Sequence, residues 1–80
     1  DRFDLVYVDP PYDVPDETVT GVLARLTDGW LVPDALVVVE RSSRTPDPSW
    51  PDLLAERWSR RYGETTLHFA AARPDSEEHR

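Results

Sequence analysis

The sequence predicts an α/β fold, and three observations carry that expectation. Two short apolar runs, Phe3–Val8 and Ala35–Val39, have the length and valine content of strands. Between them, apolar residues recur at helical spacing. Beyond them, two alternating segments flank a Gly-Glu pair. Strand, helix and strand with short links form a βαβ unit, in which the strands run parallel and the crossover is right-handed.

The first run, Phe3-Asp4-Leu5-Val6-Tyr7-Val8, is nearly continuous in apolar residues. It reads as a central strand covered on both faces. Pro10 and Pro11 donate no hydrogen bond to a ladder, so pairing ends there. Asp9 and Tyr12 are thereby placed at the carboxyl end of the strand, the edge where open α/β sheets bind ligands.

Asp16 is a candidate N-cap for a helix over Glu17–Asp28. Val19, Val22, Leu23, Leu26 and Trp30 fall on one face of it. Gly29 suits the position just past the helix end. Leu31–Asp34 reads as a turn centred on Pro33. Ala35-Leu36-Val37-Val38-Val39 follows as a second strand covered on both faces, and Glu40 ends it at the same edge as Asp9. A polar residue ending a buried strand is ordinary, but acids at such edges also serve sites.

Arg41–Ser49 is polar, carries Pro46 and Pro48, and reads as a loop on that edge. Arg41 and Arg44 are candidates for meeting phosphates there, against the alternative of solvated surface arginines. Trp50–Glu56 reads as a short helix with Pro51 in its first turn. Arg57–Tyr62 fits either a helical face or a strand; a strand is preferred because Gly63-Glu64 then makes a hairpin turn. Thr65–Ala72 completes the hairpin as an edge strand. Leu67 and Phe69 are expected to face inward, and Thr66, His68 and Ala70 outward. His68 reads as a surface residue, and no ligand cluster suggests a metal.

Eighty residues make one small unit with a modest core. There is no cysteine, which excludes disulfide and thiolate chemistry. No run is long enough to span a membrane and no signal pattern appears, so a cytoplasmic location is the default. The net charge of −7 argues against a nucleic-acid module acting alone. All basic residues are arginine, which reads first as codon bias. Residues 1–73 are expected to form the domain, and 74–80 a disordered acidic tail. The absence of methionine and the start at Asp1 suggest a processed piece, a fragment, or a chain whose start was not captured.

Asp9-Pro10-Pro11-Tyr12, after Phe3-Asp4-Leu5-Val6, resembles the D/N/S-P-P-Y/F/W motif of methyltransferases that use S-adenosylmethionine to methylate exocyclic amino nitrogens. The chemistry explains the residue types. A base amino group delocalises its lone pair into the ring and is a poor nucleophile. Acceptors at Asp9 and the Pro10 carbonyl would hold its hydrogens and aim the lone pair, with Pro11 stiffening the backbone. Tyr12 would stack on a base swung out of its helix. Without the motif, Asp9 caps a strand end and Tyr12 packs.

Val37-Val38-Val39-Glu40 and Arg61-Tyr62-Gly63-Glu64-Thr65 extend the likeness over about Asp1–Ala72. The whole resembles the C-terminal half of a Rossmann-like class I methyltransferase, specifically the RsmD-type family. Members of that family methylate guanine N2 in 16S ribosomal RNA. The resemblance implies parallel strands with a terminal antiparallel hairpin. It implies Asp9, Pro10, Pro11 and Tyr12 as catalytic residues, and Asp9 at the cofactor S-adenosylmethionine. Tyr12, Glu40, Arg41 and Arg44 would meet the substrate. The implied partners are ribosomal RNA or the small ribosomal subunit, and an N-terminal half holding the glycine-rich cofactor loop. That loop has no counterpart here, so the isolated chain is expected to be inactive. A nucleic-acid adenine-N6 methyltransferase fragment and a non-catalytic remnant are the competing readings.

Overall fold

The computed structural model describes residues 3–10 and 14–72. Four strands and one helix follow in the order β1 (Phe3–Val8), α1 (Asp16–Leu26), β2 (Leu31–Ser42), β3 (Leu54–Tyr62) and β4 (Thr65–Ala72). They form one mixed sheet in the spatial order β1-β2-β4-β3. β1 and β2 are parallel, with Val6 opposite Val37 and Val8 opposite Val39. β2–β4 and β3–β4 are antiparallel. The strand–helix–strand unit and the terminal hairpin are therefore as expected. The acidic tail at 74–80 lies outside the described residues.

The core lies on one face of the sheet, under α1. Val19 and Leu23 of the helix pack against Ala35, Val37, Val39, Leu54, Ala70 and Ala72. Val22 and Trp30, expected on the same stripe, are largely exposed. A single helix lying on a sheet buries only the narrow line of residues directly beneath it. The helix is capped at Pro15, whose carbonyl accepts the Thr18 N–H at 3.0 Å. Asp16 is thus the first helical residue and not the cap. Gly29, with φ of 96°, turns the chain into β2, as its sequence position suggested.

The opposite face of the sheet has no helix over it among the described residues. This overturns the expectation that β1 is covered on both sides: Leu5 is 59% exposed and Tyr7 57%. β2 is different. Val37 and Val39 face the helix, and Val38 is shielded by neighbouring strands on both sides.

The turn expected at Leu31–Asp34 is instead an irregularity inside β2. Phe3 pairs with Leu31 and Leu5 with Leu36, so β2 carries extra residues there. Pro33 lacks a donor, and Asp34 takes a φ of 66°. The features that read as a turn make a bulge within the strand. β2 also runs on through Arg41 and Ser42, which pair with Thr66 and Thr65.

The helix expected at Trp50–Glu56 does not form. Pro51 accepts the Leu54 N–H at 3.0 Å in a turn, and β3 starts at Leu54. Arg57 ties this corner down, its Nε donating to the Leu54 carbonyl at 2.7 Å and its Nη2 to that of Pro51 at 3.2 Å.

β4 is not an edge strand but lies between β2 and β3. Its faces are also inverted from expectation. His68, Ala70 and Ala72 are buried on the helix face, while Phe69 stacks on Trp58 on the other, with ring centroids 5.3 Å apart. Alternation fixes which residues share a face but not which face meets the helix. The alanines leave room for α1, and the bulkier Leu67 and Phe69 turn away.

Candidate functional site

Parallel pairing in register brings the carboxyl end of β1 beside Glu40, two residues short of the end of β2 at Ser42. Val8 lies opposite Val39, so the next residues, Asp9 and Glu40, emerge side by side. Strand pairing stops at Asp9 because Pro10 has no N–H to donate. Together they open a cleft of about 300 Å³. Asp9 and Pro10 line it from β1, and Glu40, Arg41 and Ser42 from β2. Thr45 and the hairpin residues Glu64 and Thr65 close the far side.

The hairpin tip is tied to the end of β2. The Ser43 N–H donates to the Glu64 carbonyl at 2.8 Å, and the Ser43 and Thr66 hydroxyls are 2.8 Å apart. Gly63 allows the tight turn. With φ of 62° at the first position of a two-residue loop between Tyr62 and Thr65, it takes a conformation that other residues resist.

Three carboxylates, those of Asp9, Glu40 and Glu64, border the cleft. Acceptors of this kind suit a ligand that presents N–H groups more than one that presents phosphate. Asp9 is exposed and open to a ligand. The Tyr7 hydroxyl donates to Glu40 Oε1. That bond, partial desolvation and the charges of Glu40 and Asp9 push the Tyr7 phenol up to about 12.

Arg41 lines the cleft, but its guanidinium is turned toward α1. It pairs with Asp16 at 2.7 Å and donates to the Val14 carbonyl at 3.2 Å, with only 8% of its side chain exposed. Arg44 is exposed and is not part of the cleft wall. Of the residues singled out in the sequence, the structure thus gathers Asp9, Pro10, Glu40 and Arg41. Pro11 and Tyr12 lie outside the described residues. Tyr7, Glu64 and Thr65 were not foreseen at the site. The signal for Tyr7 was its place two residues before Asp9, the strand period that sets side chains on one face.

The described residues do not by themselves fit S-adenosylmethionine. Gly21 lies within α1, Gly29 leads into β2 and Gly63 sits in the hairpin turn. None lies between the carboxyl end of a parallel strand and the start of a helix, where a glycine-rich cofactor loop is placed. Among the described residues, no three His, Cys, Asp or Glu side chains are grouped so that they could hold a metal ion. No helix among them is long and apolar enough to cross a membrane.

A family model described as conserved hypothetical protein 95 matches residues 1–71. The chain belongs to this family. Solved structures similar to this member of the conserved hypothetical protein 95 family agree with the fold. A conserved hypothetical protein from Streptococcus pyogenes superposes with a TM-score of 0.74 at 27% identity, over 89% of this chain and 44% of that one. A protein described as a candidate methyltransferase from Escherichia coli superposes with a TM-score of 0.77 at 23% identity, over 90% and 40%. One described as a candidate methylase from Haemophilus influenzae does so with a TM-score of 0.69 at 22% identity, over 89% and 43%. The chain thus has a mixed α/β fold shared with these candidate methyltransferases, and spans less than half the length of each. No curated protein matches it in sequence.

Proposed function

We propose that this chain is the acceptor-side half of a methyltransferase that uses S-adenosylmethionine to methylate an exocyclic base amine, with guanine N2 in 16S ribosomal RNA as the substrate. One observation carries the reading: the Asp9-Pro10-Pro11-Tyr12 run begins where a parallel strand ends, at an acceptor-rich cleft. The family and the candidate methyltransferases of like fold support it.

In this reading the Asp9 carboxylate and the Pro10 carbonyl accept the two amino hydrogens. The nitrogen lone pair is thereby turned out of the ring and toward the incoming methyl group, which is catalysis by orientation and preorganised electrostatics. Tyr12 stacks on the displaced base. The cofactor would be held chiefly by the other half of the methyltransferase domain, and Asp9 would act beside it by orienting the amino group.

The test is transfer of labelled methyl groups to small-subunit particles lacking the modification, by the protein carrying both halves. Asp9→Ala should lower the rate by on the order of 10²-fold or more. Cofactor affinity should change little. Tyr12→Ala should lose about 1–3 kcal/mol of stacking, and Tyr12→Phe should keep most activity because the ring face remains. An Asp9→Ala protein that works at the parent rate would reduce Asp9 to a strand-end cap and sink the reading.

A further inference from the structure

Tyr7 stands on the uncovered face of the sheet, where no core packing holds it. Its register partner on β2 is Val38, and Glu40 lies two residues further along the same face. The phenol reaches diagonally across and donates to Glu40 Oε1. A half-buried glutamate such as Glu40, on its own, still samples several rotamers. Here one oxygen is engaged by a donor, and the other remains to accept from a ligand in the cleft shared with Asp9 and Pro10. Hydrogen bonds from O–H to a carboxylate are among the stronger kind.

We propose that Tyr7 is a positioning residue that fixes Glu40 as an acceptor beside Asp9, and that Glu40 selects a base whose ring nitrogen next to the amino group carries a hydrogen. The inference rests on the function proposed above. An amino group offers two hydrogens, which Asp9 and the Pro10 carbonyl take. A further carboxylate at the site then needs another donor. Guanine supplies one, because N1–H adjoins the N2 amino group. Adenine N1 and cytosine N3, beside their amino groups, present lone pairs, which a carboxylate repels. The same side chain thus attracts one base edge and rejects the others.

Two measurements test this. The first follows phenolate absorbance against pH in the intact protein, as the difference between wild type and Tyr7→Phe, which isolates Tyr7. Its titration should sit well above an ordinary tyrosine and return toward it in Glu40→Gln. A normal titration in the wild type would overturn the pairing.

The second compares methyl transfer to a small-subunit RNA fragment carrying either guanine or 2-aminopurine at the acceptor position. 2-Aminopurine keeps the amino group but lacks the ring N–H. The wild type should prefer guanine by about tenfold or more in kcat/KM, the scale of one well-placed base contact. Tyr7→Phe, which keeps the ring and loses only the hydroxyl, should erode that preference. Glu40→Gln, whose amide can donate to the bare nitrogen, should shift it toward 2-aminopurine. Wild-type preference retained in both variants would overturn the inference while leaving the proposed function standing. No transfer to either RNA by the wild type would end both, even with Tyr7 and Glu40 coupled in the titration.

Discussion

His68 shows how one side chain links burial to solution behaviour. It is 4% exposed on the helix face of β4, and its Nε2 has no hydrogen-bond partner among the described residues. Burial pushes its pKa below the usual 6.5; Asp47, 3.9 Å from Nδ1, pulls the other way, and Arg41 adds to the lowering. The folded chain thus holds His68 neutral at pH values where the unfolded chain is already protonated. Stability from this group is complete above about pH 6.5 and is lost as pH falls toward the lower folded value. The urea midpoint of unfolding should therefore fall between about pH 7 and about pH 5, above the range where ordinary carboxylates titrate. His68→Leu should flatten that slope. It should also hold the neutral-pH midpoint at or above the parent value, because it removes a buried unpaired nitrogen.

At the scale of elements, α1 shows how narrow its working face is. Val22 and Leu23 belong to the same apolar stripe in the sequence, yet Leu23 is fully buried and Val22 is 40% exposed. Leu23→Ala should cost about 2–5 kcal/mol, the range for truncating a buried leucine. Val22→Ala should stay within about 0.5 kcal/mol, as substitutions away from the core do. Denaturant titration of the two variants side by side checks this, and equal losses would mean that α1 is rotated on the sheet. The edge strands differ in a similar way. β3 carries Glu56, Arg57, Arg60 and Arg61, charges that discourage further pairing. β1 has only Asp4, so its free edge is the adhesive one.

Taken whole, the described residues form a sheet with a helix on one side only. Leu5, Tyr7, Trp58 and Tyr62 remain exposed, with Leu5 and Trp58 presenting apolar surface on the open face. A face of this kind beside an adhesive edge invites association. The 80-residue chain should sediment faster as its concentration rises, and Leu5→Arg together with Trp58→Arg should hold it as a slower species. Sedimentation velocity over a concentration series reads this directly. A wild type that remains a monomer throughout would show that the open face is inert.

What the sequence determined by itself is local or periodic. The apolar runs specified β1 and the centre of β2, and the 3.6-residue spacing specified α1. Gly63 specified the hairpin, and the prolines after Asp9 placed that acid at a strand end beside Glu40. Tertiary structure decided the rest. Whether Trp50–Glu56 coils or extends depended on carbonyls that Arg57 reaches only once the corner has formed. Whether β4 shows His68 or Phe69 to the helix was open, because alternation makes two faces without naming the inner one. Whether Tyr7 meets Glu40, 33 residues away in the chain, depended on the register of β1 on β2. Sequence patterns report the preferences of neighbouring residues, whereas these outcomes turn on what packs against them from elsewhere in the chain.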